Sequence, residues 1–317
     1  MMKRRSLPTI AAPDRSALPI ACRHYRDFPL HQLVEAKGDQ TVSVCVPAHD
    51  EGDTVGAVVS KVRRRLMDRI GLVDEVLVVD DHSSDDTAKV AEAAGARVID
   101  AAEVLADVAG GSGKGEALWR SLYMAKGDIV VWVDADITDF GSHFVVGLLG
   151  PLLTDPRVSY VKGYYERPSH GGTGGGRTTE LMARPVLATL FPHLSTIVQP
   201  LSGEFAGRRS LLEQLPFVRG YGVDIGLLID AAETVGPAGI VQVDLGTRVH
   251  RNRTLDELGP QALTVLQTAL DRAGARYANP STLCRPGAPP LVRAFAELPP
   301  LASLPAEAAP AIATLTA

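Results

Sequence analysis

The sequence predicts an α/β fold, a mostly parallel sheet flanked by helices. Short apolar runs rich in β-branched residues alternate with helix-compatible stretches through the first half of the chain. The runs are nearly continuous in apolar character, as expected of strands covered on both faces. Polar, largely acidic clusters follow three of them, and open α/β sheets bind ligands at the carboxyl ends of their strands.

In chain order, residues 1–40 are mixed and proline-containing and read as an extended arm with one short helix near 31–37. Strands are expected over 42–47, 75–80, 97–100 and 128–134, with helices over 54–69, 86–94 and 114–125 between them. Such alternation joins parallel neighbours by right-handed crossovers. The second half is less regular. It offers a strand at 158–165, a glycine-rich loop at 171–176 opening a helix over about 178–190, and a helix at 223–235. A strand at 240–245 and an amphipathic helix at 255–273 follow. From about Arg285 the chain is rich in Pro and Ala and poor in charge, and reads as a loosely held extension. No repeat or clean linker interrupts residues 41–280. The expected division is an arm (1–40), two halves of one body (41–137 and 138–280) and a flexible tail (281–317).

Composition excludes several classes. The 317 residues carry 32 Lys and Arg against 37 Asp and Glu, a net charge of −5, with no basic bias of the kind a general nucleic-acid binder shows. Three cysteines, Cys22, Cys45 and Cys284, are too few and too scattered for a disulfide framework and fit a reducing compartment. The basic start is followed by Pro8, Pro13, Asp14 and Arg15, which break any signal-peptide core. No apolar run reaches the roughly 18 residues of a membrane span. A soluble, cytoplasmic protein is expected.

The strand-end clusters are Pro47-Ala48-His49-Asp50-Glu51, Asp80-Asp81-His82-Ser83-Ser84-Asp85 and Asp134-Ala135-Asp136. Each alone has an ordinary reading, as helix caps or a solvated strand end. Together they mark one sheet edge. Asp134 and Asp136 form a D-x-D. If the strand persists through them, both carboxylates share a face and offer hard oxygen ligands to Mg²⁺ or Mn²⁺ bridging a diphosphate. Gly110–Glu116 resembles a phosphate loop but fails the Walker pattern at Val108 and Gly115, leaving Lys114 as a candidate anion contact or a solvated loop lysine. In Gly174-Gly175-Gly176-Arg177-Thr178-Thr179, a glycine loop precedes a helix start, where free N–H groups and Arg177 suit a phosphate or carboxylate. His250, among Arg248, Arg251 and Arg253, is a metal ligand or part of a solvated basic turn.

These residues together resemble the glucosyl-3-phosphoglycerate synthases, retaining glycosyltransferases of the GT-A fold, over about residues 25–280. The most specific pieces are Gly113-Lys114-Gly115-Glu116-Ala117-Leu118-Trp119-Arg120, Gly174 to Glu180 with Ala183-Arg184-Pro185, Gln199-Pro200-Leu201-Ser202-Gly203-Glu204, Gly220-Tyr221-Gly222-Val223-Asp224, and His250-Arg251-Asn252-Arg253. The resemblance implies a Rossmann-like sheet with a nucleotide-sugar half and an acceptor half. It implies glucose transfer from UDP-glucose to the 2-hydroxyl of 3-phosphoglycerate, a divalent cation (Mg²⁺ or Mn²⁺) and a homodimer. Residue by residue, Pro47, Ala48, Glu51, Asp81, Lys114, Asp134, Ala135, Asp136 and Tyr221 match donor-binding positions. Gly176, Arg177, Thr179, Arg248 and Asn252 match acceptor-side positions, Asp136 and His250 the metal ligands, and Asp224, Asp136 and Lys114 the catalytic centre. Asp224 stands where the family typically carries the longer Glu. The competing readings are a mannosyl transferase using GDP-mannose, a sugar-phosphate nucleotidyltransferase and a non-catalytic sugar-nucleotide sensor. The nucleotidyltransferase's glycine-rich basic loop is missing after the first strand, where Pro47–Glu51 stands.

Overall fold

The computed structural model describes residues 20–108, 110–167, 176–248 and 254–305. The elements in order are β1 (Ala21–His24), α1 (Leu30–Lys37), β2 (Val42–Ala48), α2 (Val55–Val62), β3 (Glu75–Asp80), α3 (Thr87–Ala93), β4 (Arg97–Asp100), α4 (Lys114–Met124), β5 (Ile129–Trp132), α5 (His143–Thr154) and β6 (Tyr160–Glu166). They continue with α6 (Arg184–Leu190), β7 (Phe205–Arg208), α7 (Arg209–Leu212), β8 (Phe217–Val218), α8 (Val223–Val235), β9 (Ile240–Thr247), α9 (Leu255–Arg272), β10 (Ser281–Arg285), β11 (Ala288–Arg293) and β12 (Glu297–Leu298).

Eight strands form one sheet in the order β1-β9-β6-β7-β5-β2-β3-β4. Every pairing is parallel except those of β7, which runs antiparallel to both β5 and β6. The alternation of side chains along the strands splits the core into two layers. Val42, Val44 and Val46 of β2, with Ile129 and Val131 of β5, face one layer. Cys45, Val130 and Trp132 face the other. Both faces being covered explains why the strands carry so few polar residues. Helix α2 shows the matching helical logic: Val55, Val58, Val59 and Val62 recur at the 3.6-residue period and are all buried.

Several expectations change. The strand expected over 128–134 stops at Trp132, whose partners Cys45 and Phe205 end the ladder on both sides, so Asp134 and Asp136 lie in the loop beyond and not on one strand face. The helix expected over 54–69 is α2 followed by a wide i→i+5 turn at Arg63–Met67. The helix expected near 178–190 likewise begins with a wide turn at Thr179–Ala183 before α6, next to Pro185, which has no N–H to donate. The arm carries its short helix, α1, and also an edge strand, β1, laid parallel on β9. Residues 281–305 are not a loosely held tail. They form the β10–β11 hairpin and β12, which pairs with β8, while Trp119 Nε1 donates to the Pro299 carbonyl at 2.8 Å. Helix α5 had no amphipathic signal because almost all of its length is buried. No helix among the described residues is long and apolar enough to cross a membrane.

Candidate active site

The topology places the strand-end clusters together. β2, β3, β5, β6 and β9 are parallel to one another, and their carboxyl ends meet at one edge of the sheet. There they deliver Ala48 to Glu51, Asp81, Asp134 to Asp136, Tyr165 with Arg167, and Arg248. Antiparallel β7 starts at that same edge and brings Gly203 and Glu204. The first turns of α4 and α8 add Lys114 and Asp224. These residues surround a cleft of about 550 Å³, within the roughly 300–1,000 Å³ of small-molecule sites.

Its centre is a charge network. Lys114 Nζ lies 3.2 Å from Asp134 Oδ1 and 3.2 Å from Asp224 Oδ2, with 14% of its side chain exposed. Arg248 Nη1 donates to Asp134 Oδ2 at 3.1 Å, Glu204 Oε1 at 2.7 Å and the Tyr165 hydroxyl at 2.6 Å. Its Nη2 donates to Asp136 Oδ1 at 2.5 Å. Glu204 is fully buried and also accepts from Ser202 Oγ at 3.0 Å.

The fields follow from this packing. Burial works against the Lys114 charge, but Asp134, Asp224 and Glu204 overcome it and hold its pKa above the ordinary lysine range. Burial also opposes ionisation of Asp134, and Lys114 and Arg248 reverse the effect, holding that carboxyl well below its usual range. Asp224 and Glu204 keep raised values because burial outweighs their cationic neighbours. Burial, with Glu204 nearby, pushes Tyr165 up to about 12.

Two close approaches depend on glycine. A Cβ on Gly203 would stand 2.2 Å from Asp134 Oδ1, so only glycine lets Asp134 lie against that backbone. A Cβ on Gly115 would stand 2.0 Å from the Val218 carbonyl, so glycine seats the Lys114 turn on β8.

On the β2–β3 side, Asp81 Oδ2 accepts from Gly113 N at 2.7 Å, tying the second strand end to the loop that carries Lys114. His49 Nδ1 donates to the Asp81 carbonyl at 2.6 Å. Glu116, almost fully buried, accepts from Gly220 N at 3.0 Å and from Arg219 Nη1 at 3.3 Å. The start of α4 is thereby clasped to the turn bearing Tyr221. Across the cleft lie Gly176, Arg177 and buried Thr179 at the start of the wide turn that leads into α6.

Two features call for a ligand. Asp224 Oδ1 is buried with no hydrogen-bond partner, on a residue that lines the cleft. Asp134 and Asp136 converge on one cation, Arg248, with the Asp136 side chain 30% exposed. Oxygen-only donors of concentrated negative charge fit a hard divalent ion with open positions for a diphosphate. No cluster of three ligating side chains is present among the described residues.

Of the residues singled out in the sequence, Pro47, Ala48, Glu51, Asp81, Lys114, Asp134, Ala135, Asp136, Gly176, Arg177, Thr179, Tyr221, Asp224 and Arg248 all line this one cleft. His250 and Asn252 lie outside the described residues. Arg248 was placed with the acceptor residues, whereas its guanidinium is committed to three carboxylates and a tyrosine. Sequence reasoning missed Tyr165, Arg167 and the α9 residues Glu257, Leu258, Gln261 and Val265, and it quoted His49 and Glu204 within their motifs without giving either a role. Glu204 had a signal, a charged residue opening an apolar strand. The α9 residues had none, since their face is an ordinary amphipathic stripe.

A family model described as glycosyl transferase family 2 matches residues 43–216. A glucosyl-3-phosphoglycerate synthase of Mycolicibacterium paratuberculosis is 50% identical over 77% of this chain and 75% of its own length. The crystal structure of a glucosyl-3-phosphoglycerate synthase from Mycobacterium tuberculosis with Mn²⁺, UDP-glucose and phosphoglyceric acid superposes with a TM-score of 0.83. It is 44% identical, over 90% of this chain and 99% of that one. The same protein with Mg²⁺ and UDP gives a TM-score of 0.81 at 43% identity, over 89% and 98% of the two chains.

Proposed function

The chain belongs to glycosyl transferase family 2 and, within it, to the glucosyl-3-phosphoglycerate synthases, and on that premise we propose that it moves glucose from UDP-glucose to the 2-hydroxyl of 3-phosphoglycerate with retention at the anomeric carbon. One observation carries the reading: the acidic pair Asp134/Asp136 and the cationic turn Gly176–Thr179 open onto the same cleft. A diphosphate held at one end and a small phosphorylated acid at the other put the anomeric carbon and the acceptor hydroxyl oxygen within reach of each other.

The residues divide the work as follows. Pro47, Ala48, Glu51 and Asp81 receive the nucleoside at the β2 and β3 ends, with Tyr221 facing the sugar. Asp136 and His250, with Asp134 completing the D-x-D, are the residues that would hold Mg²⁺ or Mn²⁺. When bound, that ion neutralises charge building on the departing diphosphate. Lys114 stands between Asp134 and Asp224 and presents its remaining donor capacity to the donor phosphates. Arg177, Thr179 and the Gly176 backbone grip the acceptor phosphate, and the family resemblance assigns Asn252 to the acceptor as well. Arg248 bridges the three carboxylates of the centre through one guanidinium. Asp224, its Oδ1 unpartnered, accepts from a sugar hydroxyl and so orients the ring. The acceptor attacks from the face the nucleotide leaves, and a donor phosphate oxygen takes its proton.

The location proposed is the cytoplasm, supported by free thiols at Cys22, Cys45 and Cys284. A homodimer is proposed from the family resemblance, and sedimentation against the 33.6 kDa chain mass tests it. For the reaction, purified protein is mixed with 3-phosphoglycerate and a panel of UDP-, ADP- and GDP-sugars, with Mg²⁺, Mn²⁺ or a chelator. Glucosyl-3-phosphoglycerate and UDP should appear with UDP-glucose and metal and vanish with the chelator. Product from GDP-mannose alone, or release of pyrophosphate, overturns the assignment.

A further inference from the structure

Lys162 of β6 is 1% exposed, in a strand paired on both sides. Its Nζ donates to the Asp224 carbonyl at 3.3 Å and sits 4.8 Å from the centroid of the Phe205 ring. An apolar side chain of similar length would fill this space without the cost of desolvating an ammonium, so fold stability does not account for a lysine here. What the ammonium does touch is the backbone of Asp224, the one cleft residue among the described residues with a buried, unpartnered carboxylate oxygen. Asp224 therefore stands between two lysines, Lys114 on the cleft side at 3.2 Å and Lys162 beneath it.

We infer that Lys162 is a positioning residue for glucose transfer: from the sheet it anchors residue 224 through its carbonyl and supplies the second positive charge that keeps the Asp224 carboxylate aimed into the cleft. The inference rests on the transferase reading and deepens it. The charged and titratable groups facing Asp224 are Lys114 from α4, Lys162 and Tyr160 from β6, and Asp134 from the loop after β5. Burial raises the Asp224 pKa, and Lys114 and then Lys162 oppose the rise. Burial pushes Lys162 itself down to about 8. Loss of the Lys162 charge must therefore move the protonation of Asp224 to higher pH.

The test compares wild type, Lys162→Met, Lys162→Gln, Asp224→Asn and the Lys162→Met/Asp224→Asn double variant, by kcat, KM for both substrates, pH profile and melting temperature. Wild-type transfer is measured first, so failure of the transferase reading shows there and is separate from failure of this one. Lys162→Met should fold with an unchanged or higher melting temperature and lose about tenfold in kcat, a modest misplacement cost. KM for both substrates should stay within threefold, and the acid limb of kcat should move to higher pH. In the Asp224→Asn background the same change should cost much less, since both act at one group. Lys162→Gln, which keeps a donor for the carbonyl but no charge, should shift the acid limb as Met does. A kcat within twofold of wild type, an unmoved acid limb, or full additivity in the double variant overturns the inference. So does failure of both Met and Gln variants to fold, which would make Lys162 a structural ion.

Discussion

Lys114 offers the sharpest test of the charge network, through Lys114→Met. Its ammonium is 3.2 Å from a carboxylate oxygen on each of Asp134 and Asp224. At an effective dielectric near 20, each pair at that distance is worth about 5 kcal/mol before desolvation is subtracted. Removing one partner of a buried pair costs about 3–5 kcal/mol. Arg248 still holds Asp134 at 3.1 Å, and Lys162 still lies under Asp224, so the lower end applies. A loss of about 3 kcal/mol lowers the melting temperature of a chain this size by about 4–5 °C.

Donor binding suffers too. A charge-assisted contact of about 1.5–3 kcal/mol weakens UDP binding about 10- to 150-fold when it is lost. The stability deficit also depends on pH. The Asp134 carboxyl is held well below its usual range in the fold, with Lys114 and Arg248 outweighing burial. A depressed carboxyl contributes stability that is present above its unfolded pKa of about 3.9 and is lost as pH falls through the folded value. The Asp134 share of the variant's deficit should therefore be full above about pH 4 and shrink below it. Thermal melts from pH 3 to 8 and calorimetric titration with UDP read both effects. A variant melting within 1 °C of wild type and binding UDP within threefold would return Lys114 to the status of a solvated loop lysine.

Three further outcomes are expected. Arg177→Ala should weaken 3-phosphoglycerate binding by about 10- to 150-fold, the loss of one charge-assisted contact, and leave UDP binding unchanged in calorimetry. Equal losses of both would show that the turn at 176–179 serves the donor. Asp224→Asn should lower kcat about 10- to 100-fold if the side chain orients the sugar. A change within about tenfold, roughly 1.4 kcal/mol of barrier, excludes a mechanism in which Asp224 attacks the anomeric carbon to form a glycosyl-enzyme intermediate, while a loss near 10⁶-fold would favour that mechanism over same-face attack. Gly203→Ala places a methyl 2.2 Å from Asp134 Oδ1 and must turn that carboxylate away. The variant should fold, bind Mn²⁺ more weakly in the presence of UDP by calorimetric titration, and lose about 100-fold in kcat; unchanged Mn²⁺ affinity would contradict the packing.

The strands β2, β3 and β4 were legible at or within one residue of their ends, because a buried parallel strand writes its burial on every residue. Helices α4, α8 and α9 were legible for the same kind of reason, an apolar stripe or run bounded by glycine or threonine. β1, β7 and β12 were not. Each is two to four residues long and owes its conformation to a distant partner: β9 for the first, β5 and β6 for the second, β8 for the third. Helix α5 hid because a helix buried on nearly every side has no periodic face to read.

The candidate site divides along the same line. Residue identity and spacing alone determined which chemistry was on offer: paired aspartates at a strand end, a glycine turn running into Arg177 and Thr179, and Lys114 opening a helix. Those are local facts, since a motif of a few residues carries its own donors, charge and backbone freedom. Only the tertiary structure decided that the motifs share a cleft, that Lys114 is an ion-paired residue and not a solvated one, and that Arg248, Glu204 and Lys162 underlie the centre. Ion pairs between residues 20 to 114 positions apart are set by which strand ends meet and how deeply they are buried, and a linear pattern contains neither.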